Sequence, residues 1–357
     1  MELRREPLET KTTPLTGIQS MDNLPNLSTE YLGMNLKNPI IASASPSNSN
    51  IDMLKNLEAA GIAAVVMPSL FEEQVEFEEY QFSALQDYGG ESFAEAASYF
   101  PEMDDYNSGT DDYLRVVETA CEAVNVPIIG SLNGVTSGGW TRYAKKIESA
   151  GAAALELNMY YLPTDANVTA DQVENNYLEL IAEVKSQISI PLAVKIGPYF
   201  SSLANFARRA SAAGADGLIL FNRFMQPDIN LDTMEIDARI DLSHSSEMRL
   251  PLRWVAILRG QVECSLGATS GIHTHKDVIK LLMAGADATL IASSILRRGP
   301  EVVKAILEDL NAWLKEHGYR SVSQFKGGMS YKNCPNAAAL ERSNYMKSLT
   351  SYTGPHV

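Results

Sequence analysis

"SAAGADGLILF", residues 211–221, reads as the end of a helix, a glycine, and an apolar run of strand length. The same construction returns in "EAAGIAAVVM" at 58–67, "ESAGAAALELN" at 148–158 and "LMAGADATLIA" at 282–292. A glycine just past a helix C-terminus accepts the left-handed conformation that closes the last turn. The apolar run behind it is too short for a helix and suits a buried strand. Each copy is therefore the αβ half of a βα unit, and its recurrence along one chain indicates a repeating architecture.

Working outward from these anchors, strands are expected near 39–45, 63–68, 126–132, 152–158, 190–196, 216–221, 262–269 and 287–293. Helical periodicity is expected near 50–60, 111–124, 138–150, 171–188, 201–213, 247–258, 275–284 and 300–316. Strict alternation over this length predicts an α/β fold of the closed TIM (β/α)8 type rather than an open doubly wound sheet. Residues 69–110 and 222–246 are too long for ordinary βα turns and are expected as inserted loops after strands 2 and 6, on the catalytic face. Residues 1–26 are expected as an extended arm, 27–316 as the barrel, and 317–357 as a tail with a short helix near 336–348.

The 357 residues are 45% hydrophobic, enough for a large packed core, and carry a formal net charge of −15. That charge repels phosphate backbones and anionic lipid, so neither nucleic acid nor membrane is expected as a partner. Cys121, Cys264 and Cys334 are scattered and form no CxxC pair, which argues against a disulfide framework or a metal or iron–sulfur site and fits a reducing cytoplasm. A small molecule is the expected ligand.

In an α/β barrel the C-terminal ends of the strands face the active site, so polar residues there are candidates for chemistry. "GATSGIHT" at 267–274 and "LIASSILRRGP" at 290–300 end the seventh and eighth strands with small residues. Small side chains let backbone N–H groups approach an anion, so Ser270, Gly271, Ala292 and Ser293 are the expected phosphate donors. Lys195 ends the apolar "IPLAVKI", where a buried amine needs an anion or an electron-rich ring as neighbour. Asn158 and Asn222 close their strands at the same height and can address a planar heterocycle. "ALELNMYYLP", 154–163, continues past Asn158 into Tyr160 and Tyr161.

"LSTEYLGMNLKNPIIASASPSNS" from 27, "PIIGSLNG" from 127, "ELN" from 156, "PLAVKIGPYF" from 191, "LFNR" from 220, "GATSGI" from 267 and "IASSI" from 291 together resemble the dihydroorotate dehydrogenase family, above all its soluble branch. The same features are similar to the flavin domain of dihydropyrimidine dehydrogenase. The resemblance covers about residues 27–316 and implies FMN at the barrel mouth and redox chemistry at a carbon–carbon bond, first of all dihydroorotate to orotate as in pyrimidine biosynthesis, or of a related dihydropyrimidine. It further implies that Ser43, Ala44, Ser45 and Ser69 lie along the flavin, and that Asn133 and Asn158 bond its polar edge. Lys195 would stand by N1 and the C2 carbonyl, Gly271, Ala292 and Ser293 would hold the phosphate, and Asn107, Asn158 and Asn222 would face the substrate. A homodimer is a further expectation.

Two positions depart from the family's pattern. Where the soluble branch carries a proton-accepting Cys three residues after the Asn, this chain has Tyr161. A phenol, with its ordinary pKa of about 10, is a poorer base at neutral pH than a thiol. Pro68 stands where relatives carry a flavin-side lysine. Tyr161 and Lys195 are thus the expected catalytic residues. Two alternatives are a Schiff-base lyase using Lys195 and a catalytically silent flavin-binding partner subunit.

Overall fold

The computed structural model describes residues 24–77, 109–237 and 240–351. Its centre is a barrel of parallel strands: β1 (Ile40–Ala42), β2 (Ala64–Val66), β3 (Ile128–Asn133), β4 (Ala154–Asn158), β5 (Leu192–Ile196), β6 (Gly217–Leu220), β7 (Ser265–Thr269) and β8 (Ala288–Ile291). Each pairs with its sequence neighbour, and β8 pairs back to β1, with Thr289 opposite Ile40, so the eight strands close. The four repeat glycines, 61, 151, 214 and 285, have φ of 98°, 98°, 116° and 121°, the left-handed turn that each αβ step requires.

Between the strands run α1 (Ile51–Ala59), α2 (Thr110–Ala123), α3 (Tyr143–Ser149), α4 (Ala170–Gln187), α5 (Leu203–Ala212), α6 (Arg249–Leu258) and α7 (His275–Ala284); α8 (Ser293–Arg298) and α9 (Glu301–Glu316) follow β8. Their buried residues keep helical spacing, as in Tyr177, Leu180, Ile181 and Val184 of α4 or Leu203, Phe206, Ala207 and Ala210 of α5. One stripe per helix thus faces the sheet. The expected helix at 138–150 begins as a 3-10 turn, Gly139–Arg142, a common start to an α-helix and one consistent with the low α-helix propensity of glycine at 138 and 139.

Strand alternation sorts the core into two shells. Ile41, Val66, Ile129, Ala154, Ala193, Ile219, Ala288 and Leu290 form an inner cluster, apart from the larger cluster between strands and helices. The inner cluster also holds Tyr31, Leu32 and Leu36, which belong to a hairpin, Thr29–Tyr31 paired with Met34–Leu36. This hairpin plugs the N-terminal end of the barrel. At its tip, Leu32 approaches Gly217 so closely that a Cβ there would stand 2.5 Å from Leu32 Cδ2. Asp287, at the same end, ties the plug and the tail to the barrel: its carbonyl accepts from Thr29 Oγ1, and its carboxylate meets Arg259 and Lys326.

The loop after β6 is more structured than its composition suggests, since Asp228–Asn230 pairs antiparallel with Glu235–Asp237 in an exposed ribbon. After β2, Leu70–Phe71 extends the sheet beside β3, and residues 78–108 of that insertion lie outside the described residues. In the tail, residues 327–331 bond the backbone of α6 and α7, and a helix runs over Ser343–Thr350. No helix among the described residues is long and apolar enough to cross a membrane.

Candidate active site

A cleft opens at the C-terminal ends of β1 and β5 to β8, lined by Ser43, Ala44, Lys195, Asn222, Gly271, Ala292 and Ser293. Lys195 points along the parity that fills the barrel interior, yet its position at the end of β5 lets its amine reach the cleft floor. It is 7% exposed, and Nζ lies 3.4 Å from Oε1 of Glu156, which has no exposed surface. The register of β4 on β5 places Asn158 opposite Lys195 and Glu156 one layer deeper, opposite Ala193. Asn222 Nδ2 donates to Asn158 Oδ1 at 2.6 Å, which ties Asn158, itself not among the residues lining the cleft, to one that is.

The opposite end is made of small residues and backbone N–H groups. Ser270 and Gly271 have φ of 77° and 72°, which turn the chain sharply after β7. A Cβ on Gly271 would stand 2.3 Å from Met248 N, so only glycine fits this close approach. Gly271 N and Ser243 Oγ are 3.3 Å apart, and Ser243 N donates to Ser293 Oγ at 3.1 Å, joining three loops in one rim. The first N–H groups of α8 have no acceptor within the helix. His273 reaches Ser243 Oγ from behind; burial, with Arg297 and Arg298 beside it, lowers its pKa and favours neutral imidazole. Asp277 accepts from the N–H groups of His273 and Thr274, each at 3.0 Å, and fixes the start of α7.

Several expected site residues fall elsewhere. Ser45 Oγ bonds Ser47 Oγ at 2.8 Å within its own turn, and Ser69 Oγ bonds Ser131 Oγ at 2.8 Å. Asn133, half-buried, sits level with Asn158 at the end of β3. None of the three lines the cleft. Tyr161 lines a second, largely aromatic cavity with Pro163, Tyr177, Tyr199, Phe200 and Phe224, and is not among the residues around Lys195. Asn107 lies outside the described residues.

Reading from sequence missed Glu156, Arg223, Ser243 and Asn48. Arg223, next to Asn222 in the cleft, donates through Nε to Glu247 Oε2 at 3.0 Å. Buried Asn48 donates to the carbonyls of Ser43 and Val66 and so holds the β1 loop at the cleft edge. A signal existed for Glu156 alone: a charged residue inside an otherwise apolar strand.

The donor set fits a ligand with one anionic end and one ring that takes up negative charge: amides and hydroxyls at one side, a buried cation at the other. A family model described as dihydroorotate dehydrogenase matches residues 96–314, more than half of the chain. The chain belongs to the dihydroorotate dehydrogenase family. Its relatives include the dihydroorotate dehydrogenase B (NAD(+)) catalytic subunits of Thermoplasma acidophilum, 25% identical over 85% of this chain and 99% of the relative, and of Methanocaldococcus jannaschii, 26% identical over 81% and 94%. The dihydroorotate dehydrogenase A (fumarate) of Lactobacillus helveticus is 25% identical over 63% of this chain and 75% of its own length. The family is one of FMN-dependent oxidoreductases, and the chain is a flavin oxidoreductase of dihydroorotate dehydrogenase type. Membership sets aside the Schiff-base lyase.

Proposed function

We propose that this member of the family binds FMN in the Lys195 cleft and acts on a carbon–carbon bond of a dihydropyrimidine, with dihydroorotate the first substrate to try. FMN, when bound, supplies the two-electron chemistry. The observation that carries the reading is a nearly fully buried lysine at the floor of a cleft whose far rim is made of glycine, serine and helix-start amides. Gly271, Ala292 and Ser293 hold the phosphate, Ser43 and Ala44 flank the ring, and Lys195 opposes negative charge at the ring's N1–C2 edge. Asn158 and Asn222, already joined, orient the substrate, while Ser45, Ser69 and Asn133 support the flavin from the neighbouring segments.

The protein is expected to purify yellow and to lose that colour when dihydroorotate is added without oxygen. A colourless protein that takes up no FMN ends the reading; a yellow protein that only another dihydropyrimidine bleaches changes the substrate alone.

The reading of Tyr161 as standing where the soluble branch carries its Cys bears on proton transfer. Tyr161 takes that role only if residues 159–169 turn it from the aromatic cavity toward Lys195. Tyr161→Phe decides between the two arrangements through the rate of anaerobic flavin reduction. A loss of roughly 10² to 10⁴ is usual for a missing acid or base and would keep the role. A change within about threefold, the outcome that its place in the second cavity leads us to expect, assigns the proton to another group.

A further inference from the structure

Glu156 stands inside the barrel, one layer beneath Asn158, and is wholly buried. One carboxylate oxygen faces Lys195 at 3.4 Å, and the other, Oε2, has no hydrogen-bond partner among the described residues. From the plug hairpin, the phenol of Tyr31 enters the same interior as far as Gly267, and its Oη is also without a partner. Burial first, then the charge of Glu156, holds that phenol well above the usual tyrosine range, so Tyr31 adds no charge at neutral pH. The neighbouring interior positions, Ile41, Ile129, Ala154, Ala193, Ile219 and Leu290, are apolar. Glu156 is therefore the charge that answers Lys195 from within the barrel. A buried ion pair is weak as a source of stability, because apolar residues of the same volume serve as well or better. Its position directly under the cleft gives it a use that packing does not.

We propose that Glu156 sets the charge of the cleft floor: paired with Lys195 it makes the floor neutral, and so limits how strongly the site favours a reduced, negatively charged ring over an oxidised one. The inference rests on the FMN reading of the cleft. Removing either partner unbalances the floor by a full charge. At the effective dielectric of a protein interior, this changes the affinity ratio for reduced over oxidised flavin by about tenfold or more. Tenfold corresponds to about 30 mV in a two-electron potential.

The test compares wild type with E156Q, K195Q and E156Q/K195Q, which remove one or both charges while keeping polar side chains at the two positions. In flavin-free protein, denaturant unfolding is expected to show each single variant less stable than wild type and the double variant less damaged than the sum, the mark of a coupled pair. Additive losses overturn the pairing. In flavin-loaded protein, the midpoint potential is expected to rise in E156Q, fall in K195Q, and return close to wild type in the double variant. FMN binding with no change of potential in E156Q removes this proposal and leaves the flavin reading intact. Failure of the wild type to bind FMN removes the flavin reading and the proposal with it. Should E156Q not fold, the double variant, which has no lone charge, is compared with K195Q: a higher potential supports the role of Glu156, and an equal one overturns it.

Discussion

Lys195→Gln is expected to slow reduction of the bound flavin about 10²- to 10³-fold, the usual cost of removing one preorganised group that opposes charge developing in the reaction. The cation acts on charge that appears as the ring is reduced, so the loss belongs to the rate of reduction more than to FMN affinity. Its buried position raises the effect, since water does not screen it there: Lys195 is 7% exposed and its ionic neighbour Glu156 is 0% exposed. Glutamine is the milder replacement because it keeps a polar side chain of nearly the same bulk in the barrel, although it too removes the cation that faces Glu156. Alanine would leave that carboxylate buried and alone, at about 3–5 kcal/mol of stability, and would mix a folding defect with a chemical one. Anaerobic rapid mixing with substrate gives the rate, and flavin titration gives the affinity. Reduction at the wild-type rate with FMN bound would take Lys195 out of the chemistry.

Asp287→Ala is expected to cost about 3 kcal/mol or more of folding stability, although Asp287 lies at the end of the barrel away from the cleft. Its carboxylate accepts from Arg259 at 3.0 and 3.1 Å, from Lys326 at 2.8 Å and from the backbone N–H of Leu266 at 2.9 Å. Alanine leaves a buried N–H unpaired, about 1–3 kcal/mol, and two cations without their anion. Arg259 is 35% exposed and contributes the lesser share, because water compensates it, whereas Lys326 at 17% is compensated less. The measurement is the denaturant midpoint, with the slope unchanged if the variant still unfolds as one unit. Asp287→Asn, which keeps an acceptor for Leu266, should lose less. Equal stability of all three proteins would show that the plug and tail are held by packing alone.

The barrel was legible in sequence because its information is local. A glycine that closes a helix and an apolar run of strand length lie within ten or so residues of each other, and both are set by backbone sterics and burial. The alternation of strands and helices, the end of β5 at Lys195, and the small residues after β7 and β8 followed from that. What escaped was everything that depends on two distant segments meeting. The plug at 29–36 reads as an ordinary start to the barrel, and only the open space at Gly217 and Gly267 shows where Leu32 and Tyr31 go. Ser69 likewise meets Ser131, 62 residues further along the chain, a contact that no motif spells out.

Tyr161 gives the sharpest division. Counting from Asn158 assigns it a place in the chain, because spacing along a strand is fixed by covalent geometry. Which cavity its ring enters is a matter of packing between the loops after β4, β5 and β6, where Phe224 stacks on Tyr160 at 4.4 Å and Tyr177 and Phe200 complete the wall. The pairing of Glu156 with Lys195 is likewise a product of register. Strand parity alone sends both side chains inward, but it is the stagger of β4 on β5 that brings a carboxylate 3.4 Å from the amine. Sequence by itself determined the repeat, the barrel and which residues stand at the strand ends. Tertiary structure decided which charges meet, because a Coulomb interaction depends on distances between segments that the order of residues along the chain does not specify.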